Sequence, residues 1–225
     1  GKDSITTEMA ETNLFGLKIN ILSPTPENLQ NLNLLWMTEE AKGKLGRSSD
    51  KADHTKTIEE LKNTPFSGDN DQVNASSIAL LVKYNDINCL LLADSHPSEI
   101  ENRLSAIGYS KALPLEAAIM HLAHHGSKAN TSPALLSMVR TCNFVITGNG
   151  IHNRHPDKET LVKLLVQEDR KVAPINLHFP CNTRELQNLF VVDQNPFERF
   201  NFTCSYRGTE QNGISFAYLP VNNEE

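Results

Sequence analysis

An α/β fold is predicted by three features of this 225-residue chain. From about residue 73 onward, short apolar runs alternate with segments of helical spacing, in the order strand, helix, strand, helix. Two of the apolar runs flank Asn85-Asp86, a turn pair, and so form a hairpin. Polar sites lie just past the ends of three apolar runs: Asp94, the His124-His125 pair, and Asn153 with His155. Ligands in open α/β sheets collect beyond the carboxyl ends of the strands, so this placement suits a binding site.

In chain order, residues 1–16 are expected to form a disordered extension, being polar and aperiodic over most of their length. Residues 17–22 alternate and read as a strand. Thr25 then serves as N-cap with Pro26 at the first helical position, and Leu29, Leu32 and Trp36 carry helical spacing to about Ala41. Trp36 is expected in the core. Residues 42–72 are rich in Lys, Asp, Glu, Ser and Gly and read as a charged mobile excursion, with a short helix around 57–63. A strand over 75–84 pairs with a strand over 87–93 through the Asn85-Asp86 turn. Pro97 opens a helix with Ile100, Leu104 and Ile107 on one face, closed by Gly108. The central strand spans 118–123. Ser132 caps a helix that begins at Pro133, a strand follows over 143–147, and Gly148-Asn149-Gly150 turns the chain. A helix starting near Pro156 buries Leu161, Leu164 and Leu165. Beyond Val172 the pattern favours β structure over 174–179, 186–192, 200–206 and 214–219.

Composition narrows the function classes. A net charge of −6 argues against a broad phosphate-binding face. No run of eighteen apolar residues is present, so no membrane span is expected, and a start without an apolar signal core suggests a cytoplasmic protein. The cysteines, Cys89, Cys142, Cys181 and Cys204, form no C-x-x-C pair and read as reduced thiols.

The chemistry concentrates at the strand ends. An Asp between strand and helix is commonly an N-cap, but Ser95 and His96 could cap here and leave the Asp94 carboxylate free. A His pair ending an apolar strand, with Gly126 permitting a sharp turn, sacrifices packing to present imidazole nitrogens. His155 beside Pro156 reads equally as a helix-start residue or a site residue. Together, an Asp and two His positions suit borderline divalent metals.

These residues resemble the second half of the metallo-β-lactamase superfamily, and in particular the hydrolase-like domain of the DNA-uptake competence channels and its soluble relatives. Asn74-Ala75-Ser76 is similar to that group's Asn-x-Ser. Leu90-Leu91-Leu92-Ala93-Asp94 matches leucines ending in Gly-Asp, with Ala in place of Gly. His124-His125-Gly126-Ser127 matches His-His-Gly-Ser intact, and residues 153–156 match Asn-x-x-His-Pro. The resemblance spans about residues 17–170. It implies the second half of an αββα sandwich, to which the pattern beyond Val172 adds extra β structure at the C-terminus, and a zinc or manganese pair at one edge between the sheets. Asp94 would bridge the metals, and His124 or His125 would ligate the second one. Asn153 and His155 would lie at the substrate rim. Asp94, His124 and His155 would then be the catalytic set, and a dinuclear centre would orient hydroxide for attack on a phosphodiester, such as a nucleic acid, or a similar ester.

One departure bears on all of this. The family's first-half His-x-His-x-Asp-His, which supplies most metal ligands, has no counterpart here. The chain is therefore expected to be the C-terminal portion of a metal-dependent hydrolase, inactive alone, with the missing N-terminal half of the same protein or a partner chain completing the site. A degenerate, non-catalytic binding domain of the same fold is the alternative.

Overall fold

The computed structural model describes residues 4–38, 52–167, 173–208 and 210–215. Asn85 adopts a left-handed backbone (φ 51°), as a two-residue hairpin turn requires, and joins β3 (Ala79–Tyr84) antiparallel to β4 (Ile87–Leu91). On the far side of β3, β2 (Leu17–Ser23) pairs antiparallel, with β1 (Thr12–Leu14) at the edge. On the far side of β4 come parallel strands β6 (Ile119–His121), β8 (Asn143–Val145), β9 (Ile175–Phe179) and β10 (Phe202–Tyr206). The result is a mixed eight-stranded sheet in the order β1-β2-β3-β4-β6-β8-β9-β10. A separate two-stranded parallel pair joins β5 (Leu115–Glu116) to β7 (Val139–Arg140).

One face of the large sheet carries the core. Leu81, Leu90, Met120, Phe144, Leu177 and Phe202 alternate into it, and α4 (Pro97–Ala106), α5 (Pro133–Ser137) and α6 (Lys158–Leu165) supply Ile100, Leu104, Leu135, Leu161 and Leu164. Strict alternation puts Leu80, Val82, Tyr84, Cys89, Leu91, Ile119, His121 and Val145 on the opposite face. This second face is largely apolar, yet each of those side chains is half-buried or exposed, with Tyr84 at 51% and Leu91 at 39%.

Several sequence expectations shift. Residues 4–16, expected as a disordered extension, include β1 and a hydrogen bond from the Thr7 amide to the Pro24 carbonyl (2.9 Å). Helix α1 (Pro26–Met37) is capped by Thr25 as expected, but Trp36 is 67% exposed rather than in the core. The reason is geometric. α1 lies against α3 (Gln72–Ala75), and twelve residues at about 1.5 Å each outrun four, leaving the last turn uncovered.

The charged excursion is anchored over residues 52–72; the rest of it, residues 42–51, lies outside the described residues. Its few apolar residues explain the anchoring: Ile58 and Leu61 of α2 (Ile58–Leu61), started by a Thr57–Glu60 capping box, both reach the core. Buried Asp53 accepts from the Lys158 and Glu159 amides (2.8 Å each), capping α6 where Asp157 does not. Fully buried Lys158 bonds Asp193 and the Lys56 carbonyl (2.6 Å each).

The strand expected over 75–84 begins only at Ala79, because Asp71 caps α3 first. The strand expected over 186–192 is instead α7 (Arg184–Gln187) and turns. Thr183 caps that helix, and Leu186, Leu189 and Phe190 are buried at helical spacing. A further short helix, α8 (Pro196–Arg199), precedes β10. Most of the last expected strand, 214–219, lies outside the described residues. None of the four cysteines is in a disulfide. Among the described residues, no helix is long and apolar enough to cross a membrane.

Candidate functional site

Past β4 the chain turns at Ala93, a left-handed residue (φ 48°), and presents half-buried Asp94. Past β6 it turns through three successive left-handed residues, His124 (φ 46°), His125 (φ 57°) and Gly126 (φ 88°). Past β8, Thr147 and Gly148 lead to a loop in which Asn153 (φ 50°) and Arg154 (φ 57°) are also left-handed. A non-glycine residue held in this region costs about 1–3 kcal/mol, and such strain tends to collect at functional sites.

Direct bonds tie the three turns together. The His124 amide donates to the Ala93 carbonyl (2.8 Å), the Asp157 amide to the Gly126 carbonyl (3.1 Å), and the Gly150 amide to the His155 carbonyl (2.7 Å). Gly148 is the tightest point. A Cβ there would lie 2.5 Å from the His155 carbonyl carbon and oxygen and 2.6 Å from the His125 oxygen.

The side chains divide into two groups. In the first, the His124 ring stands 5.2 Å from the buried His155 ring. His124 Nδ1 lies 3.2 Å from Asn130 Oδ1, 3.3 Å from Asn74 Nδ2 and 3.8 Å from Asp69 Oδ2. Asp69 accepts from Asn74 Nδ2 (2.8 Å), the Asp71 amide (2.9 Å) and Asn130 Nδ2 (3.0 Å). His96 Nε2, buried without a hydrogen bond among the described residues, lies 3.8 Å from the same Asp69 oxygen. His155 Nδ1 likewise has no hydrogen-bond partner among the described residues and lies 3.5 Å from Asp157 Oδ2. In the second group, exposed His125 places Nδ1 2.9 Å from Thr147 Oγ1, which His121 Nε2 approaches to 3.3 Å.

Ionisation follows from these neighbours. Burial pushes the Asp69 carboxyl up, but His124, Asn130, the Asp71 amide and Asn74 outweigh it and hold it far below the usual carboxylate range. Asp69 in turn raises the His124 pKa against burial, with help from Asp94. His121 moves the other way, lowered by burial and by His125. The Asp157 carboxyl is lowered: burial opposes this, and His155 and the Lys128 amide prevail.

Of the residues singled out in the sequence, Asp94, His124 and His155 therefore lie on adjoining turns. His125 faces Thr147 on the exposed side, and Asn153 sits on an exposed loop. Asp69, His121, Asn130 and Thr147 were not anticipated, and His96, expected as a possible cap, makes no side-chain cap bond to α4 and lies 3.8 Å from Asp69 instead. Asp69 was hidden in the charged stretch, where its spacing to the cap residue Asp71 was the only local signal. Among the described residues, no three His, Cys, Asp or Glu side chains form a group able to hold a metal ion. The donors among the described residues thus do not fit the dinuclear centre implied by the resemblance. Comparison with protein-family models, curated proteins and solved structures finds no match.

Proposed function

We propose that this chain is the C-terminal portion of a metal-dependent hydrolase of the metallo-β-lactamase fold, acting on phosphodiester or similar ester bonds. The observation that carries this reading is the convergence of the Asp94, His124 and His155 turns beyond the carboxyl ends of β4 and β6 and the loop after β8, at a cost in left-handed backbone. Packing alone gives no reason to place two consecutive non-glycine left-handed residues there. The half-exposed apolar face of the sheet supports the other part of the proposal. A second sheet, from the missing half or a partner chain, would cover it and bring further zinc or manganese ligands to the edge where His121 lies.

A second reading, a non-catalytic binding domain of the same fold, is favoured by the lack of a convergent ligand group among the described residues. Turnover of bis(p-nitrophenyl) phosphate, with zinc or manganese, by the longest polypeptide its gene encodes separates the two. Hydrolysis lost in both Asp94→Ala and His124→Ala is the expected result. No hydrolysis, or hydrolysis indifferent to both substitutions, would overturn the proposal in favour of the second reading or of a site elsewhere.

A further inference from the structure

We infer that Asp69 is a positioning residue of the site: acting through Asn130, it fixes the tautomer of His124 so that Nδ1 carries the proton and Nε2 the lone pair. This deepens the proposed function, on which its relevance to the site rests, by assigning which nitrogen of His124 keeps the lone pair; its physical basis is independent of any metal.

The chain of inference starts at Asn130, which is fully buried. One end of its amide lies 3.0 Å from Asp69 Oδ2 and 3.3 Å from both the Asp94 and Ser95 carbonyl oxygens. All three are acceptors, and an ionised carboxylate and a carbonyl cannot donate, so that end must be the NH2 group. Oδ1 is then the end facing His124 Nδ1 at 3.2 Å. An amide oxygen only accepts, and so Nδ1 must donate. The protonated ring meets this requirement in any case, and the neutral ring meets it only as the Nδ1–H tautomer.

Two neighbours test the assignment. Asn74 Nδ2, also a donor, is 3.3 Å from Nδ1 and gives one of its two hydrogens to Asp69 Oδ2 at 2.8 Å; its second hydrogen could serve Nδ1 only in the tautomer that leaves the buried Asn130 Oδ1, at the shorter 3.2 Å, without the ring's proton. The Asp69 carboxylate, 3.8 Å from Nδ1, adds an electrostatic preference for a proton on that nitrogen. Asp69 therefore does two things. It accepts from both amides and so orients them, and it places negative charge on the Nδ1 side of the ring. Histidines that serve metals or move protons commonly have one nitrogen fixed in this way by a carboxylate or carbonyl behind it. Here the carboxylate comes from the segment before α3, which makes that segment part of the site.

The test is long-range 1H–15N correlation on the full chain with 15N-labelled histidine, without metal, above the pH at which His124 titrates. The His124 signals are assigned by their loss in His124→Gln. In the unsubstituted chain we expect an Nδ1 shift typical of a protonated ring nitrogen and an Nε2 shift typical of an unprotonated one. In Asp69→Asn, the Nε2–H form should rise to a substantial fraction. A dominant Nε2–H tautomer in the unsubstituted chain would overturn the inference, and this arm needs no variant to fold. A pure Nδ1–H tautomer in a folded Asp69→Asn chain would equally remove Asp69 from the role. Because no metal is present, failure here is distinguishable from failure of the hydrolase reading, which the phosphodiester assay addresses separately.

Discussion

Gly148→Ala isolates the close approach that holds the strand-end turns together. Gly148 has no left-handed φ, so an alanine there meets no backbone strain of its own and acts purely by volume. Its Cβ would sit 2.5 Å from the carbonyl carbon and oxygen of His155 and 2.6 Å from the oxygen of His125, where ordinary contact begins near 3.4 Å. The overlap is 3.4 − 2.5 = 0.9 Å against backbone on two loops, and no flexible side chain can yield to relieve it. Overpacking of this kind costs about 1–3 kcal/mol, and with backbone on both sides the upper end applies. At a urea slope of about 2 kcal/mol per molar, about 3 kcal/mol moves the unfolding midpoint down by about 1.5 M. Gly108→Ala is the matched control. Nothing lies within 4 Å of its Cβ, but its φ is +98°, so it carries only a conformational cost, about 1–2 kcal/mol. Urea titration of both variants by circular dichroism should rank Gly148→Ala well below Gly108→Ala. Equal midpoints, or the reverse order, would refute the claim that the His125 and His155 turns are packed backbone on backbone at Gly148.

Ala93→Gly should stabilise the chain by about 0.5–1 kcal/mol, since glycine removes the left-handed cost at φ 48° and returns part of it as unfolded-state entropy; thermal unfolding checks the sign. Lys158→Met strands the buried Asp193 carboxylate, to which, among the described residues, the Ile58 amide (2.7 Å) stays bonded, and should cost about 3–5 kcal/mol in urea unfolding. Asp69 is depressed on folding, so its stabilisation is present above the ordinary aspartate range and is lost as pH falls through the folded value. Midpoints measured from pH 7 to pH 3 on metal-free protein should therefore fall less steeply in Asp69→Asn than in the unsubstituted chain. His124 is raised on folding, so its contribution is present in full below its unfolded pKa and is lost as pH climbs through the folded one; His124→Gln should flatten that limb.

The parts of the fold written as local patterns were readable in the sequence. Thr25-Pro26, Asn85-Asp86, Pro97 with Gly108, and Ser132-Pro133 each mark a boundary through their own backbone chemistry, and each boundary stands in the structure. What failed did so for tertiary reasons. Trp36 has the spacing of a core residue, but α3 is too short to cover it, and no local signal records the length of a packing partner. Leu186, Leu189 and Phe190 lie in a short apolar run, which fits a strand or a helix equally until the Thr183 cap decides. At the site, the strand-end residues were legible because glycine and paired histidines interrupt apolar runs. Asp69 and Asn130 were not, because their roles arise only when residues 61 positions apart meet across the His124 ring.

The central claim is that Asp94 and His124 belong to one metal site that this chain supplies only in part. Its most direct test is zinc titration by calorimetry of the metal-free chain beside Asp94→Ala and His124→Ala. Weak, reversible zinc binding that disappears in both variants is the predicted result. Identical isotherms for all three proteins would contradict the assignment of the site. Stoichiometric zinc that survives desalting would contradict the claim that the site is incomplete.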